Sequence, residues 1–473
     1  MLRLLASLVS LAVTALASAQ TYVPVNDKPP ALAREFRGAW VACIYNLDWP
    51  SAKGLSAASQ QAELRAILDK LVALKMNAII FQVRPHCDAV YASALEPWSP
   101  WLTGTMGRSP GYDPLAFCVR EAHARGIEVH AWFNPFRALA NTAHATCSSH
   151  ITRATPQLTK RYGTQVWCDP ALSETRTRAL NAILDVVRRY DIDGVHLDDY
   201  FYPYPAGNQS FADGKTPTQR RAIIDEFVSK LYSAVKRQKA WVRVGISPFG
   251  IWQPGVPSGI EAKLDSYTQL ACDSRKWLKN GWVDYLAPQL YWRISPQKQS
   301  FPALLTWWRQ QGSRPIWPGL ATARIGSAED PGRPASEITN QIDLTRKIGN
   351  NWNGHIHWSA KSLVRNQGGI ATRLASTYTQ PSAIPPMPWL SKSAPAAPDV
   401  SATLQGSSTV VRWVQAAAAA KIAVQARRSG TWRTVQILPA SANGLTLPRA
   451  DAIAVTALDR FGNASPPRTL GLK

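Results

Sequence analysis

Asp191-Ile192-Asp193-Gly194-Val195-His196-Leu197-Asp198-Asp199-Tyr200-Phe201-Tyr202-Pro203 is a short apolar run that closes on two adjacent carboxylates. Residues two apart on a strand share a face, so His196 and Asp198 lie opposite Val195 and Leu197. If the aliphatic pair packs outward on helices, His196 and Asp198 point into an enclosed centre, and Asp199 follows at the strand end. Two neighbouring carboxylates there are costly to bury unless paired or used. They either serve catalysis, or one caps a helix or binds an arginine.

Working outward, similar runs recur at Phe36–Cys43, Ala78–Val83, Ile127–Phe133, Val242–Ile246, Val283–Leu290, Ile316–Leu320 and Gly354–Trp358. With Gly194–Asp198 they make eight. Amphipathic stretches separate them, such as Gln60–Leu74 with Leu64, Ile67, Leu68, Leu71 and Leu74 at helical spacing. Strands alternating with helices imply parallel pairing and right-handed crossovers. Eight such units predict an α/β fold, a (β/α)8 TIM barrel over residues 34–378. A doubly wound sheet would show a glycine-rich turn after its first strand. Here that strand runs into Asn46-Leu47-Asp48-Trp49-Pro50.

Residues 379–398 are rich in Pro, Ala and Ser and read as a semi-rigid linker. Residues 399–473 alternate apolar and polar in short runs: Val410–Val414, Ile422–Ala426, Trp432–Ile437 and Ile453–Leu458. They predict a small all-β sandwich. Val455-Thr456-Ala457-Leu458-Asp459-Arg460-Phe461-Gly462-Asn463 is similar to the last hairpin of a fibronectin type III domain. The reading is a spacer, or a module touching glycan.

Residues 1–19 read as a cleaved signal peptide, with Arg3, an apolar Leu4–Leu16 stretch and the small-x-small Ala17-Ser18-Ala19. Residues 20–33 are an N-terminal segment. The expected location is periplasmic or secreted, with no stable membrane span after cleavage. None of the six cysteines forms a CxxC pair. Cys147 and Cys168 flank one long loop and are the expected disulfide, with buried free thiols as the alternative. The formal net charge of +22 draws an exported chain toward polyanions, and no nucleic-acid-binding motif is present.

Several motifs stand in one order along residues 34–378. They include Phe36-Arg37-Gly38-Ala39-Trp40, Leu47-Asp48-Trp49-Pro50, Phe81-Gln82-Val83-Arg84-Pro85, Pro110-Gly111-Tyr112-Asp113-Pro114-Leu115 and His130-Ala131-Trp132-Phe133-Asn134-Pro135-Phe136-Arg137. Asp193–Tyr202, Gly245-Ile246-Ser247-Pro248-Phe249-Gly250 and Ala287-Pro288-Gln289-Leu290-Tyr291-Trp292 complete the set. On these the chain resembles glycosyl-hydrolase-like family 10, TIM-barrel envelope proteins related to α-amylases that include a division-site peptidoglycan glycan hydrolase. The resemblance implies a glycoside hydrolase acting on stem-peptide-free peptidoglycan strands or a related amino-sugar polymer. It also implies possible envelope or division proteins as partners, and no cofactor. His196-Leu197-Asp198 looks like the amylase strand-4 pattern, which makes Asp198 the nucleophile candidate. Strand 5 ends without the amylase Glu. The acid is therefore open among Asp199, Asp88, Asp48 and Glu261. The alternatives are a barrel that binds wall glycan without cutting it, or a hydrolase of a secreted exopolysaccharide.

In a TIM barrel the working residues come from the C-terminal strand ends. That places Arg84, Asp88, Asn134, Arg137, His196, Tyr202, Gln289, Tyr291 and Trp292 as substrate-binding candidates around catalytic Asp198 and Asp199. The 19 tryptophans suit the apolar faces of pyranose rings. His355-x-His357 places two imidazoles on one strand face, but on the last strand, so hydrogen bonding rather than a metal is expected.

Overall fold

The computed structural model describes residues 20–207, 209–349, 352–414 and 417–473. The signal peptide expected at 1–19 lies outside them. No helix among the described residues is long and apolar enough to cross a membrane.

All eight expected strands form. They are β1 (Phe36–Val41), β2 (Ala78–Arg84), β3 (Glu128–Phe133), β4 (Gly194–Leu197), β5 (Arg243–Ile246), β6 (Tyr285–Leu286), β7 (Gly319–Leu320) and β8 (Gly354–His357). Each pairs in parallel with its neighbour, and β8 returns to β1. Parallel bridges Leu286↔Ile316 and Gln289↔Gly319 close the ring between β6 and β7.

The period of two sorts the side chains. Val195 and Leu197 pack outward with helices such as Ala57–Ala73, capped by Ser56, and Ser173–Arg189. The barrel centre is filled by Phe36, Trp40, Ile80, Trp132, Tyr285, Trp317 and Ile356. Its strands carry large rings opposite glycines. A Cβ on Gly245 would fall 1.9 Å from the Tyr285 ring, and one on Gly194 2.6 Å from His130. Those glycines make room for the rings that form the floor beneath Asp198.

The C-terminal residues form an antiparallel all-β unit. Strands Asp399–Gln405, Ser408–Val414 and Gly444–Pro448 lie on one side. Thr431–Pro439, Lys421–Arg428, Ala452–Leu458 and Arg468–Leu472 lie on the other. Gln20–Pro24 joins them, pairing first with Asp399–Gln405 and then with Arg468–Leu472. The N-terminal segment is thus a strand of the C-terminal unit. The Pro-rich stretch is packed as well: Met387 is buried, and Trp389 donates to Asp284 at 2.8 Å.

Arg460 of the β unit holds Asp191 at 2.6 Å and Asp193 at 3.2 Å, and Lys421 reaches Glu128 at 3.4 Å. These acids sit at the N-terminal ends of β3 and β4. The β unit therefore occupies the face opposite the strand-4 carboxylates and leaves their mouth uncovered.

The expected Cys147–Cys168 pairing does not form. Cys168 Sγ lies 3.3 Å from Cys87 Sγ, while Cys147 meets Ser149. Distance along one loop was a poor guide, because the Gln165–Cys168 strand folds back onto Arg137–Leu139 and the β2 loop.

Candidate active site

Asp198 stands where the period placed it, facing inward at the end of β4. Trp132 Nε1 donates to its Oδ2 at 3.2 Å, Asn134 Nδ2 donates to the same oxygen, and the Tyr200 amide donates to Oδ1 at 3.3 Å. Trp132 and Asn134 alternate on β3 and its end, so one neighbouring strand supplies two of the three donors. Asn134 is itself held, since its Oδ1 accepts from Gln82 at 2.8 Å and from Arg137 at 2.9 Å. The Gln82 Oε1 accepts the amides of Cys43 and Ile44 at 3.1 and 3.0 Å. Strands β1 to β4 thus fix one carboxylate. Burial pushes its pKa up to about 6, against the pull of Arg137 and these donors.

Asp199 has a different setting. Tyr204 donates its hydroxyl to Oδ2, Oδ1 is buried, and the Gln289 side chain stands close enough to favour the ionised form. Burial and then the neighbouring Asp198 charge raise its pKa to about 7. Near neutrality the pair therefore holds one ionised and one protonated carboxyl, the combination that acid–base work on a glycosidic bond needs.

The substrate-binding candidates divide sharply. Asn134 and Arg137 join the site, and Arg137 lies 4.6 Å over the Tyr200 ring. Gln289 is half-buried at the mouth, its amide donating to the Ser247 carbonyl at 3.0 Å. Tyr291 lines a cleft of about 380 Å³ with Trp358 and Arg324.

Five candidates do not face the mouth. Arg84 is locked in a buried pair with Glu96 at 2.5 Å and donates to the Asn134 and Pro135 carbonyls, so it braces the loop after β3. Asp88 is fully buried and accepts the His86 amide at 2.8 Å. His196 lies in the floor: Nδ1 meets Tyr285 at 2.9 Å, and Nε2 meets Ser247 and Trp40 at 3.1 and 3.2 Å. Burial keeps it neutral. Tyr202 packs on Phe211 and under Arg220. Trp292 turns its ring onto Phe249 and Gly250.

The other acid candidates are also placed elsewhere. Asp48 accepts from Ser359, from the Lys361 amide and from the Ala42 amide. Glu261 is an exposed partner of Lys298 at 2.9 Å. His355 and His357 both meet the Tyr378 hydroxyl, at 2.5 and 2.9 Å, on the outer side of β8.

Four site residues were missed. Trp132 and Trp358 line the inner face, with ring centroids 6.1 Å apart. Strand alternation could have found both, since Trp358 is two residues beyond inward-facing Ile356. Tyr204 sits past Pro203, where no period holds. Tyr45, 48% exposed, stands at the rim against Trp101 and His144 at 5.0 and 5.8 Å.

A family model described as Glycosyl hydrolase-like 10 matches residues 35–332. Glycosyl hydrolase YngK of Bacillus subtilis (strain 168) is 38% identical over 388 residues, covering 77% of this chain and 76% of that protein. Glycosyl hydrolase DigH of Escherichia coli (strain K12) is 32% identical over 370 residues, covering 69% and 84%. Among solved structures, the glycoside hydrolase domain of PgaB (BpsB) from Bordetella bronchiseptica aligns at a TM-score of 0.47 with 13% identity, over 73% of this chain and 99% of that one.

Proposed function

The chain belongs to the glycosyl hydrolase-like 10 family, and from that premise we propose that it is exported and hydrolyses stem-peptide-free glycan strands of peptidoglycan. As a member of that family it is a glycoside hydrolase. The observation that carries the mechanism is the contrast between adjacent carboxyls: three donors hold Asp198, whereas Asp199 rests on Tyr204 with Gln289 beside it and is raised further by burial and by the Asp198 charge.

Asp199 gives its proton to the glycosidic oxygen as the bond to the anomeric carbon breaks. Asp198 stays ionised opposite the developing positive charge. It then bonds to that carbon, to be displaced by water, or takes a proton from an attacking water. Either route consumes one water and releases one new reducing end. Trp132 and Trp358 supply apolar faces for the ring, and Asn134, Arg137, Gln289 and Tyr291 are the polar groups in reach.

The substrate class rests on charge and chemistry. A strand stripped of stem peptides carries free carboxylates, and a formal net charge of +22 favours such a polymer. Arg324 lines the cleft beside Tyr291 and Trp358, and Arg137 is buried behind Asp198, over the Tyr200 ring. The β unit reads as a fibronectin type III-like spacer, supported by its strands of three on one side and four on the other, bridged by Gln20–Pro24 as an eighth. A periplasmic or secreted location follows from the signal-like first 19 residues.

The test is incubation of purified protein with stem-peptide-free and intact glycan strands, with products separated and reducing ends counted. Cleavage of the free strands, abolished by Asp198→Asn, is expected. An absence of new reducing ends from the wild type rejects the substrate.

A further inference from the structure

Cys87 and Cys168 are 81 positions apart in sequence, yet their sulfurs lie 3.3 Å from one another. Both are buried. Cys87 adopts a left-handed backbone conformation, φ 52°, which few non-glycine residues take without a reason in their surroundings. Its Sγ also lies 3.7 Å from the Arg137 carbonyl. Cys168 ends a strand that pairs Trp167 with Arg137, and its own amide donates to the Phe136 carbonyl at 2.7 Å. Both cysteines therefore grip the segment that follows β3.

That segment matters because Arg137 holds Asn134 and lies over Tyr200, and Asn134 and the Tyr200 amide hold Asp198. Arg137 Nε also donates to the Pro85 carbonyl at 3.4 Å, tying it to the loop that carries Cys87.

We infer that Cys87 and Cys168 are a disulfide pair that staples the loop after β2 to the Arg137 segment behind the catalytic carboxylate. The bond forms by thiol–disulfide exchange. One thiolate attacks a sulfur of an external disulfide, such as glutathione disulfide, and releases one glutathione thiolate. The second thiolate displaces the other glutathione, so two protein thiols are oxidised and one glutathione disulfide is reduced to two thiols. Burial of both sulfurs means that the exchange accompanies folding. Cross-linking residues this far apart restricts the unfolded chain strongly.

The pairing is independent of which glycan is cut, and its test needs no substrate. Purified full-length protein is refolded with a glutathione redox couple, alkylated under denaturing conditions with and without reduction, and mapped by mass spectrometry. Of its six cysteines, four are expected to alkylate before reduction and all six after. A cross-linked peptide should join Cys87 to Cys168. The melting temperature should fall on reduction, and that response should vanish in Cys168→Ser. Six reactive thiols after oxidative refolding, or a bond to Cys147 instead, overturns the assignment. The wild-type map decides the matter even if the serine variant folds poorly.

Discussion

Asn134 reaches Asp198 with its amide nitrogen while its carbonyl oxygen is gripped by Gln82 and Arg137. The amide cannot turn over without losing all three bonds, so its donor is permanently aimed at the carboxylate. Preorganised donors of this kind act where charge is held or develops.

Asn134→Ala removes that donor and leaves Asp198 with two. A hydrogen bond to a charged group contributes about 1.5–3 kcal/mol, so kcat is expected to fall roughly 10- to 150-fold. KM should change little. Steady-state kinetics on glycan strands measures both, and an unchanged kcat removes Asn134 from the mechanism.

The two carboxylates are separable by leaving group. Asp199→Asn should slow cleavage of natural strands by about 10²- to 10⁴-fold, the usual contribution of a proton donor. A substrate whose leaving group needs no proton should recover most of that rate. Asp198→Asn should recover nothing. If both variants respond alike to the activated substrate, the roles are misassigned.

The pair sets the pH profile. Activity requires one ionised and one protonated carboxyl, so kcat/KM should rise through about pH 6 and fall through about pH 7, as macroscopic values of the pair. Tyr204 stabilises ionised Asp199 by donating to it. Tyr204→Phe should therefore move the alkaline limb to higher pH and leave the acid limb in place.

The same burial makes the site costly to fold. Both carboxyls are raised in the folded state, so the folded chain keeps protons that the unfolded chain has released. Stability is then lost as pH climbs from the unfolded carboxylate range through 6 and 7. Asp199→Asn should be more stable than wild type at pH 8, by about 2–4 kcal/mol. The difference should shrink toward pH 4. Denaturation curves at the two pH values check this.

Arg84 and Tyr45 should behave oppositely. Arg84→Met leaves Glu96 without its ion partner in the interior, a loss of about 3–5 kcal/mol of stability. Tyr45→Ala removes an exposed ring at the rim and should leave stability nearly unchanged. Its effect should be a few-fold rise in KM on long strands with none on the shortest cleavable fragments, about 0.5–1.5 kcal/mol of aromatic contact. A length-independent change would take Tyr45 out of the glycan path.

What could be read from the chain was whatever repeats along a strand. Eight apolar runs separated by helical faces are enough for a closed ring. Along β4 and at its end the period of two aims His196 and Asp198 inward, opposite outward-facing Val195 and Leu197, because successive Cβ atoms of a pleated strand point to opposite sides. Past the strand ends no such rule holds, and partners from distant segments decide each side chain. Beyond β4, Phe211 and Arg220 hold Tyr202, and even at the last residue of β2 the alternation does not reveal that Glu96 pairs with Arg84 in the interior. Tyr204 reaches Asp199 from beyond a proline, and Cys87 meets Cys168 across 81 positions. A buried charge or donor goes to whichever partner relieves its desolvation, and only the folded chain determines which partner that is.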